Sequence, residues 1–301
     1  MKNHEVTKGH ILALVTMLIW GTTFISTKIL LNTFSAIDIL FFRFVIGTVI
    51  LFIIYPKPLK VRSVKHEISF IFAGLSGICL YYLLENMALT YTNASNVGII
   101  ISIAPFFTAI FTCLFSKEEE KLSIRFFIGF AVALLGIYFI NLNGSKLSLN
   151  PIGDFLAILA AIVWAIYSLL TRKISHYGYN IILTTRRTFL YGLIFMLPIV
   201  STHINLNVYK SMNMQHLFHF LYLGIGASAL CFVTWNWAVK TLGTIKSSVY
   251  IYTVPVITVF TSAIILKEEI TLTVILGTVL TLTGLVVCEN RIRFLRRKNN
   301  E

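Results

Sequence analysis

The feature that most limits what this chain can fold into is a duplication: about five long apolar segments in residues 1–146 are followed by the same five in residues 147–301. A shift of 144 lays Gly9 on Gly153, Ala13 on Ala157, Trp20 on Trp164, Lys28 on Arg172 and Arg43 on Arg187. Further along the shift becomes 150, where Asn86-Met87-Ala88-Leu89 meets Asn236-Trp237-Ala238-Val239, Pro105 meets Pro255 and Lys117-Glu118-Glu119 meets Lys267-Glu268-Glu269. Near the end of each copy it falls to 148, so that Gly129 and Gly136 meet Gly277 and Gly284. Five is an odd number of crossings, so the second copy must enter a membrane from the opposite side to the first. Inverted repeats of this kind frame many secondary transporters, with substrate held near the midplane between them.

Composition settles that the segments are membrane spans. The chain is 57% hydrophobic and 12% charged, against about half and about a quarter in soluble domains. The apolar stretches run over 10–30, 36–55, 68–90, 95–115, 124–141, 153–173, 181–201, 216–239, 246–266 and 272–289. Most reach the ~20 residues that cross a ~30 Å hydrocarbon core as helix. They lack the alternation of barrel strands, and lipid satisfies no open backbone. The expected fold is an all-α integral membrane protein of ten transmembrane helices, with residues 1–146 as the first repeat and 147–301 as the second. The first stretch has no small-residue cleavage site and reads as a retained span.

The net charge of +13 is explained by topology. Lys2, Lys8, Lys57, Lys60, Arg62, Lys65, Lys117, Lys121 and Arg125 fall on one side in the first copy. Arg172, Lys173, Lys240, Lys246, Arg291, Arg293, Arg296, Arg297 and Lys298 fall on that same side in the second. The opposite side keeps little beyond Lys28, Lys146, Lys210 and Lys267. The positive-inside rule then puts both termini in the cytoplasm, and the basic tail anchors topology and meets anionic lipid. That tail has no interleaved aromatics, so no nucleic acid is expected. Cys79, Cys113, Cys231 and Cys288 lie in spans without Cys-x-x-Cys spacing and read as packing residues.

A carboxylate inside a span costs several kcal/mol unless it faces a cavity or a partner, which makes Glu85 the outstanding residue. It is expected to titrate with protons or bind a substrate amine, or else to form an ion pair with Arg43 at similar depth; Arg43 alone would snorkel to headgroups. Arg186 and Arg187 read as headgroup anchors. Trp20 and Trp164 lie at mid-span, away from the interfacial belt, and are expected to wall a cavity, with Tyr82, Asn86, Asn236 and Tyr252 contributing polar groups. Position 235, the counterpart of Glu85, is Trp235.

Pro105 and Pro255 fall mid-span, where proline removes a backbone hydrogen bond and kinks a helix, and they read as hinges. Asn96, Ser102 and Tyr250 make those spans polar on one side. Gly129, Gly136, Gly277 and Gly284 are spaced for close helix packing. The acidic clusters at Glu118 to Glu120 and at Glu268 and Glu269 read as solvated surface charge. No metal, cofactor or catalytic motif is visible.

These features give the chain its resemblance to the drug/metabolite transporter superfamily, in its EamA family of ten-span bacterial exporters. The segment from Ala13 to Lys28 with its Trp20, the run from Ala88 to Asn96, and Ala104-Pro105-Phe106 follow the family pattern. So do the acid-x-x-Ser/Thr turns Glu120 to Ser123 and Glu268 to Thr271. The second copy departs from it, with Leu242-Gly243-Thr244 where the first has Thr92-Asn93-Ala94. The resemblance implies a non-enzymatic transporter of the bacterial inner membrane that exports amino acids, related amine-bearing metabolites or cationic amphiphiles. Its partners would be the small-molecule substrate and the bilayer, and the protein would be a monomer or a homodimer. A membrane-embedded enzyme would need paired acids or a His cluster beside Glu85, and a non-transporting scaffold would have little use for a polar cavity.

Overall fold

The computed structural model describes residues 2–115, 124–141, 150–203, 210, 212–243, 247 and 249–298. Among the described residues there are ten helical spans. The first copy comprises α1 (Lys2–Leu30), α2 (Ala36–Ile54), α3 (Val64–Tyr91), α4 (Ala94–Phe115) and α5 (Ile124–Asn141). The second comprises α6 (Pro151–Ser175), α7 (Ile181–His203), α8 (Met214–Leu242), α9 (249–265) and α10 (Leu272–Lys298). Seven of these are long and apolar enough to cross a membrane, and α5, α9 and α10 carry the shorter apolar stretches Phe127–Gly136, Tyr250–Ile265 and Leu272–Gly284. The expected boundary between the copies, 146/147, and the cluster Glu118 to Glu120 lie outside the described residues.

The packing repeats as the sequence does. α3 packs on α6 and α7, and α8 correspondingly packs on α1 and α2. α4 packs on α6 as α9 does on α1, while α2 meets α7, α4 meets α9 and α5 meets α10. Every one of these pairs maps onto another, or onto itself, when the copies are exchanged. The last pair also gives the sense of the exchange. A Cβ on Gly136 would lie 2.6 Å from the Gly277 carbonyl, and one on Gly284 would lie 2.4 Å from the Gly129 carbonyl. Residue numbers therefore rise along α5 as they fall along α10. Equivalent helices that run antiparallel belong to inverted repeats, and the glycines set their close crossing.

The ends of the spans are held by charged side chains. Lys28, in the last turn of α1, donates to the carbonyls of Leu89 at 2.5 Å and Thr92 at 2.8 Å, where α3 ends. Glu268, between α9 and α10, accepts from the Ala94 amide at 3.0 Å, the Ser95 amide at 3.3 Å and the Ser95 hydroxyl at 2.6 Å, where α4 begins. A cation on a helix C-terminus and an anion on a helix N-terminus both oppose the local dipole. Glu268 is thus a helix cap bridging the two copies rather than solvated surface charge, because the α3–α4 turn exposes amides that lipid and a protein interior leave unsatisfied.

Arg186 corrects a second expectation. It is buried, donates to the Tyr55 carbonyl at 2.6 Å and to that of Lys57, and lies 4.0 Å from the centre of the Phe52 ring. It ties α7 to the end of α2 instead of reaching headgroups. Arg187 pairs with Glu67 at 2.6 Å, and Tyr191 donates to the same carboxylate.

Hydrogen bonds from amides to a charged acceptor contribute about 1.5–3 kcal/mol. Glu268→Ala is therefore expected to lower the thermal midpoint of the purified protein by several degrees, while Glu269→Ala, at an exposed position, leaves it nearly unchanged. Equal effects of the two substitutions would contradict the capping role.

Candidate functional site

Two helices that would otherwise be regular open into wider π-helical turns at equivalent places, Gly74–Leu80 in α3 and Tyr222–Leu230 in α8. Glycine permits this. A Cβ on Gly74 would lie 2.7 Å from the Gly192 amide nitrogen, and one on Gly224 would lie 3.1 Å from the Arg43 carbonyl, so each turn presses directly on a neighbouring backbone. Wider turns free carbonyls from the helical ladder. The Ala227 carbonyl accepts the Trp20 indole N–H at 2.9 Å, which supplies the partner a mid-membrane tryptophan needs.

Trp20 and Trp164, equivalent in the repeat, meet edge to face with ring centres 5.3 Å apart. Phe232 stands 5.7 and 6.3 Å from them, and Trp235 stands 5.5 and 6.4 Å away. Beside this aromatic centre lies a chamber. Trp20 and Phe24 of α1, Tyr81, Tyr82 and Glu85 of α3, and Trp164 of α6 wall it. Met17 and Thr23 of α1 also contribute, and the rest comes from Ile101 and Ala104 of α4 and Ile251 and Val254 of α9.

The last four residues mark breaks in two spans. α4 is interrupted by a turn at Ser102 and Ile103, and α9 changes from a 3-10 helix, Val249–Thr253, to an α-helix, Val254–Ile265. Pro105 and Pro255 each occupy the first turn of the segment that follows the break. There the missing N–H has no helical partner to lose. The breaks therefore precede the prolines, and the helices are discontinuous rather than kinked.

Glu85 is 2% exposed, and its Oε1 has no hydrogen-bond partner. Tyr81 lies one helical turn before it and lines the same chamber. Arg43 is fully buried, donates through Nε to the Ser228 hydroxyl at 3.0 Å, and stacks 4.2 Å from the centre of the Tyr82 ring. Both of its terminal nitrogens are unpartnered. No ion pair joins Arg43 to Glu85. The face of α2 that carries Arg43 packs on the π-turn of α8, so the guanidinium lies against Tyr82 and off the chamber wall.

Of Trp20, Tyr82, Glu85, Asn86, Trp164, Asn236 and Tyr252, expected to line one cavity, the structure brings Trp20, Tyr82, Glu85 and Trp164 together. Asn86 instead donates across to the Ala36 carbonyl of α2 at 3.1 Å, and Asn236 donates to Thr185 of α7 at 2.9 Å. These equivalent asparagines join equivalent helix pairs. Tyr252 is half-buried, and its neighbour Ile251 faces the chamber, because a 3-10 turn advances side chains by a different angle from an α-helix. Tyr81 and Phe24 were missed; the Tyr81-Tyr82 doublet one turn before Glu85 was the available signal. Cys79 and Cys231 are buried in the core, Cys113 is half-buried, and Cys288 lies outside the described side chains.

The chamber offers one carboxylate with a free oxygen inside a cage of two indoles and two phenols. Aromatic faces and a carboxylate together attract an organic cation. Among the described residues no group of three His, Cys, Asp or Glu side chains could hold a metal.

Comparison with known proteins yields consistent matches. A family model described as the EamA-like transporter family matches residues 7–142 and 151–288. An uncharacterized transporter of Archaeoglobus fulgidus is 28% identical, covering 92% of this chain and 96% of its own. A probable terminal-alkyne amino-acid exporter of Streptantibioticus cattleyicolor is 23% identical, covering 94% of each. A crystal structure matching 96% of this chain and 99% of its own, with a TM-score of 0.67 at 16% identity, shares the fold.

Replacing Trp20 by Phe removes the hydrogen bond to the Ala227 carbonyl in the interior, at a cost of about 0.5–1.5 kcal/mol. The expected result is a lower thermal midpoint than that of Leu18→Ala, at an exposed position of the same helix; the reverse order would contradict the role given to the indole.

Proposed function

We propose that this chain, which belongs to the EamA-like transporter family, exports amino acids or related small amine-bearing molecules across a bacterial inner membrane by alternating access. The family and the names of its relatives mark it as a transporter rather than an enzyme acting in the membrane. The observation that carries the substrate class is the Glu85 carboxylate, buried and with a free oxygen on an aromatic chamber where the two repeats meet. A buried charge of this kind is retained at a cost and marks substrate or ion pathways. The substrate ammonium sits against Glu85, and its apolar part sits among Trp20, Tyr82 and Trp164.

Transport proceeds by rocking of the repeats about the chamber, with the breaks ahead of Pro105 and Pro255 absorbing the change in angle. Carriage is facilitated or proton-coupled, and Glu85 is the group that would exchange its substrate for a proton. Both termini face the cytoplasm on the charge distribution of the connections. One relative at 23% identity carries the name of a probable amino-acid exporter, which supports the substrate class.

A second reading is export of cationic amphiphiles. Its support is that Arg43 does not reach the chamber wall, so the chamber itself has no group to take a carboxylate.

Flux of labelled phenylalanine, phenethylamine, 3-phenylpropionate and tetraphenylphosphonium in membrane vesicles, with and without a pH gradient, separates these readings. The amines are expected to move and the carboxylate alone to be rejected, with Glu85→Gln slowing amine flux about tenfold or more, a loss of about 1.4 kcal/mol. Flux of tetraphenylphosphonium but not phenylalanine selects the second reading. Amine flux unchanged by Glu85→Gln would sink both.

A further inference from the structure

We infer that the transporter holds a second substrate station, separate from the Glu85 chamber, that takes the ammonium-carboxylate head of an amino acid. It is a cleft with hydroxyl groups on its wall between the end of α6, the start of α7 and the end of α8. This inference rests on the amino-acid reading above.

The lining is unusual in how its protons are used. Ser175 donates to the Arg172 carbonyl at 2.7 Å, Thr184 to that of Ile181 at 2.9 Å and Thr188 to that of Thr184 at 2.9 Å. These hydroxyls have spent their protons on the helices and keep lone pairs for the cleft. Asn236 donates its amide to Thr185, and its Oδ1 is buried without a partner. Tyr167, Thr171 and Tyr179 bring further hydroxyls to the wall, and its acceptor lone pairs suit an ammonium, which supplies three donors. Lys240, exposed at the rim, is the complement for a carboxylate, and no acidic residue lines the space. The chamber and the cleft therefore have opposite character: one acid among aromatic rings, and one lysine among hydroxyls.

Tyr167 separates them. It lines the cleft, while Trp164, one turn earlier on α6, lines the chamber, and their rings are 5.2 Å apart. The Tyr167 ring lies so close to the π-turn of α3 that a Cβ on Gly77 would be 2.1 Å from it. The equivalent positions of the first copy are hydrocarbon, because Thr184 and Thr188 correspond to Leu40 and Phe44. The hydroxyl wall therefore belongs to the second copy, at the end of the spans assigned to the cytoplasm.

The test is equilibrium binding of labelled L-phenylalanine and of phenethylamine to the purified full-length protein. Wild type is expected to bind two equivalents of phenylalanine, and phenethylamine, which lacks the carboxylate, is expected to bind the second site roughly fivefold more weakly. Asn236→Leu removes one phenylalanine equivalent, and Glu85→Gln removes the other. Lys240→Gln, at an exposed position that folding tolerates, weakens the second site roughly fivefold, the scale of an exposed charge pair. A single phenylalanine equivalent, lost in Glu85→Gln and unaffected by Asn236→Leu and Lys240→Gln, overturns the second station and leaves the proposed function standing. No bound phenylalanine at all overturns both.

Discussion

Every backbone group that leaves the helical ladder inside a membrane must find a partner within the protein, and the arrangement of this chain follows from how it meets that demand. The turn between α3 and α4 is held by Lys28 on its carbonyls and by Glu268 on its amides. The end of α2 is held by Arg186, and the π-turn of α8 by the Trp20 indole. With its breaks capped, the bundle can afford the discontinuities in α4 and α9 that border the central chamber. Against that background Glu85 stands out. It is a buried charge whose free oxygen serves no helix end, and this is the physical basis for assigning it to a ligand.

The duplication supplies a frame, and substitutions within that frame supply function. Trp20 and Trp164 meet at the centre, and Asn86 and Asn236 tie equivalent helix pairs. At two places the copies differ in chemistry: Glu85 stands opposite Trp235, and Leu40 and Phe44 stand opposite Thr184 and Thr188. The first difference puts an acid on one chamber wall and an indole where its mate would be. The second puts hydrocarbon at one place and hydroxyls at its counterpart. The two copies are thus equivalent in frame and unequal in chemistry.

Most of the fold was legible in the sequence because hydropathy acts over a whole span. The apolar stretches match the helices to within about four residues, except that α1 begins eight residues before its stretch and α10 runs nine beyond its own, and the repeat predicts which helices are equivalent. Features that depend on helix rotation were not legible. Arg43 and Glu85 are expected to pair, yet the π-turns packed beside them have no hydropathy signal, and the two do not pair. Tyr252 was placed one residue out of register because a 3-10 turn was not anticipated. Arg186 and Glu268 were read by charge alone, whereas their roles depend on backbone groups that sequence does not display. Trp20, Tyr82, Glu85 and Trp164 were found because a carboxylate or a tryptophan at mid-membrane has few uses other than a cavity.

The central claim is that one chamber between the inverted repeats opens alternately to both membrane faces. It is tested most directly by placing a cysteine at Ala104, a small wall residue, in a background without the four native cysteines, and measuring labelling by a membrane-impermeant thiol reagent in right-side-out and inverted vesicles. The account predicts labelling from both faces, slowed from each by phenylalanine. Labelling from one face alone, or labelling that phenylalanine leaves unchanged, would contradict it.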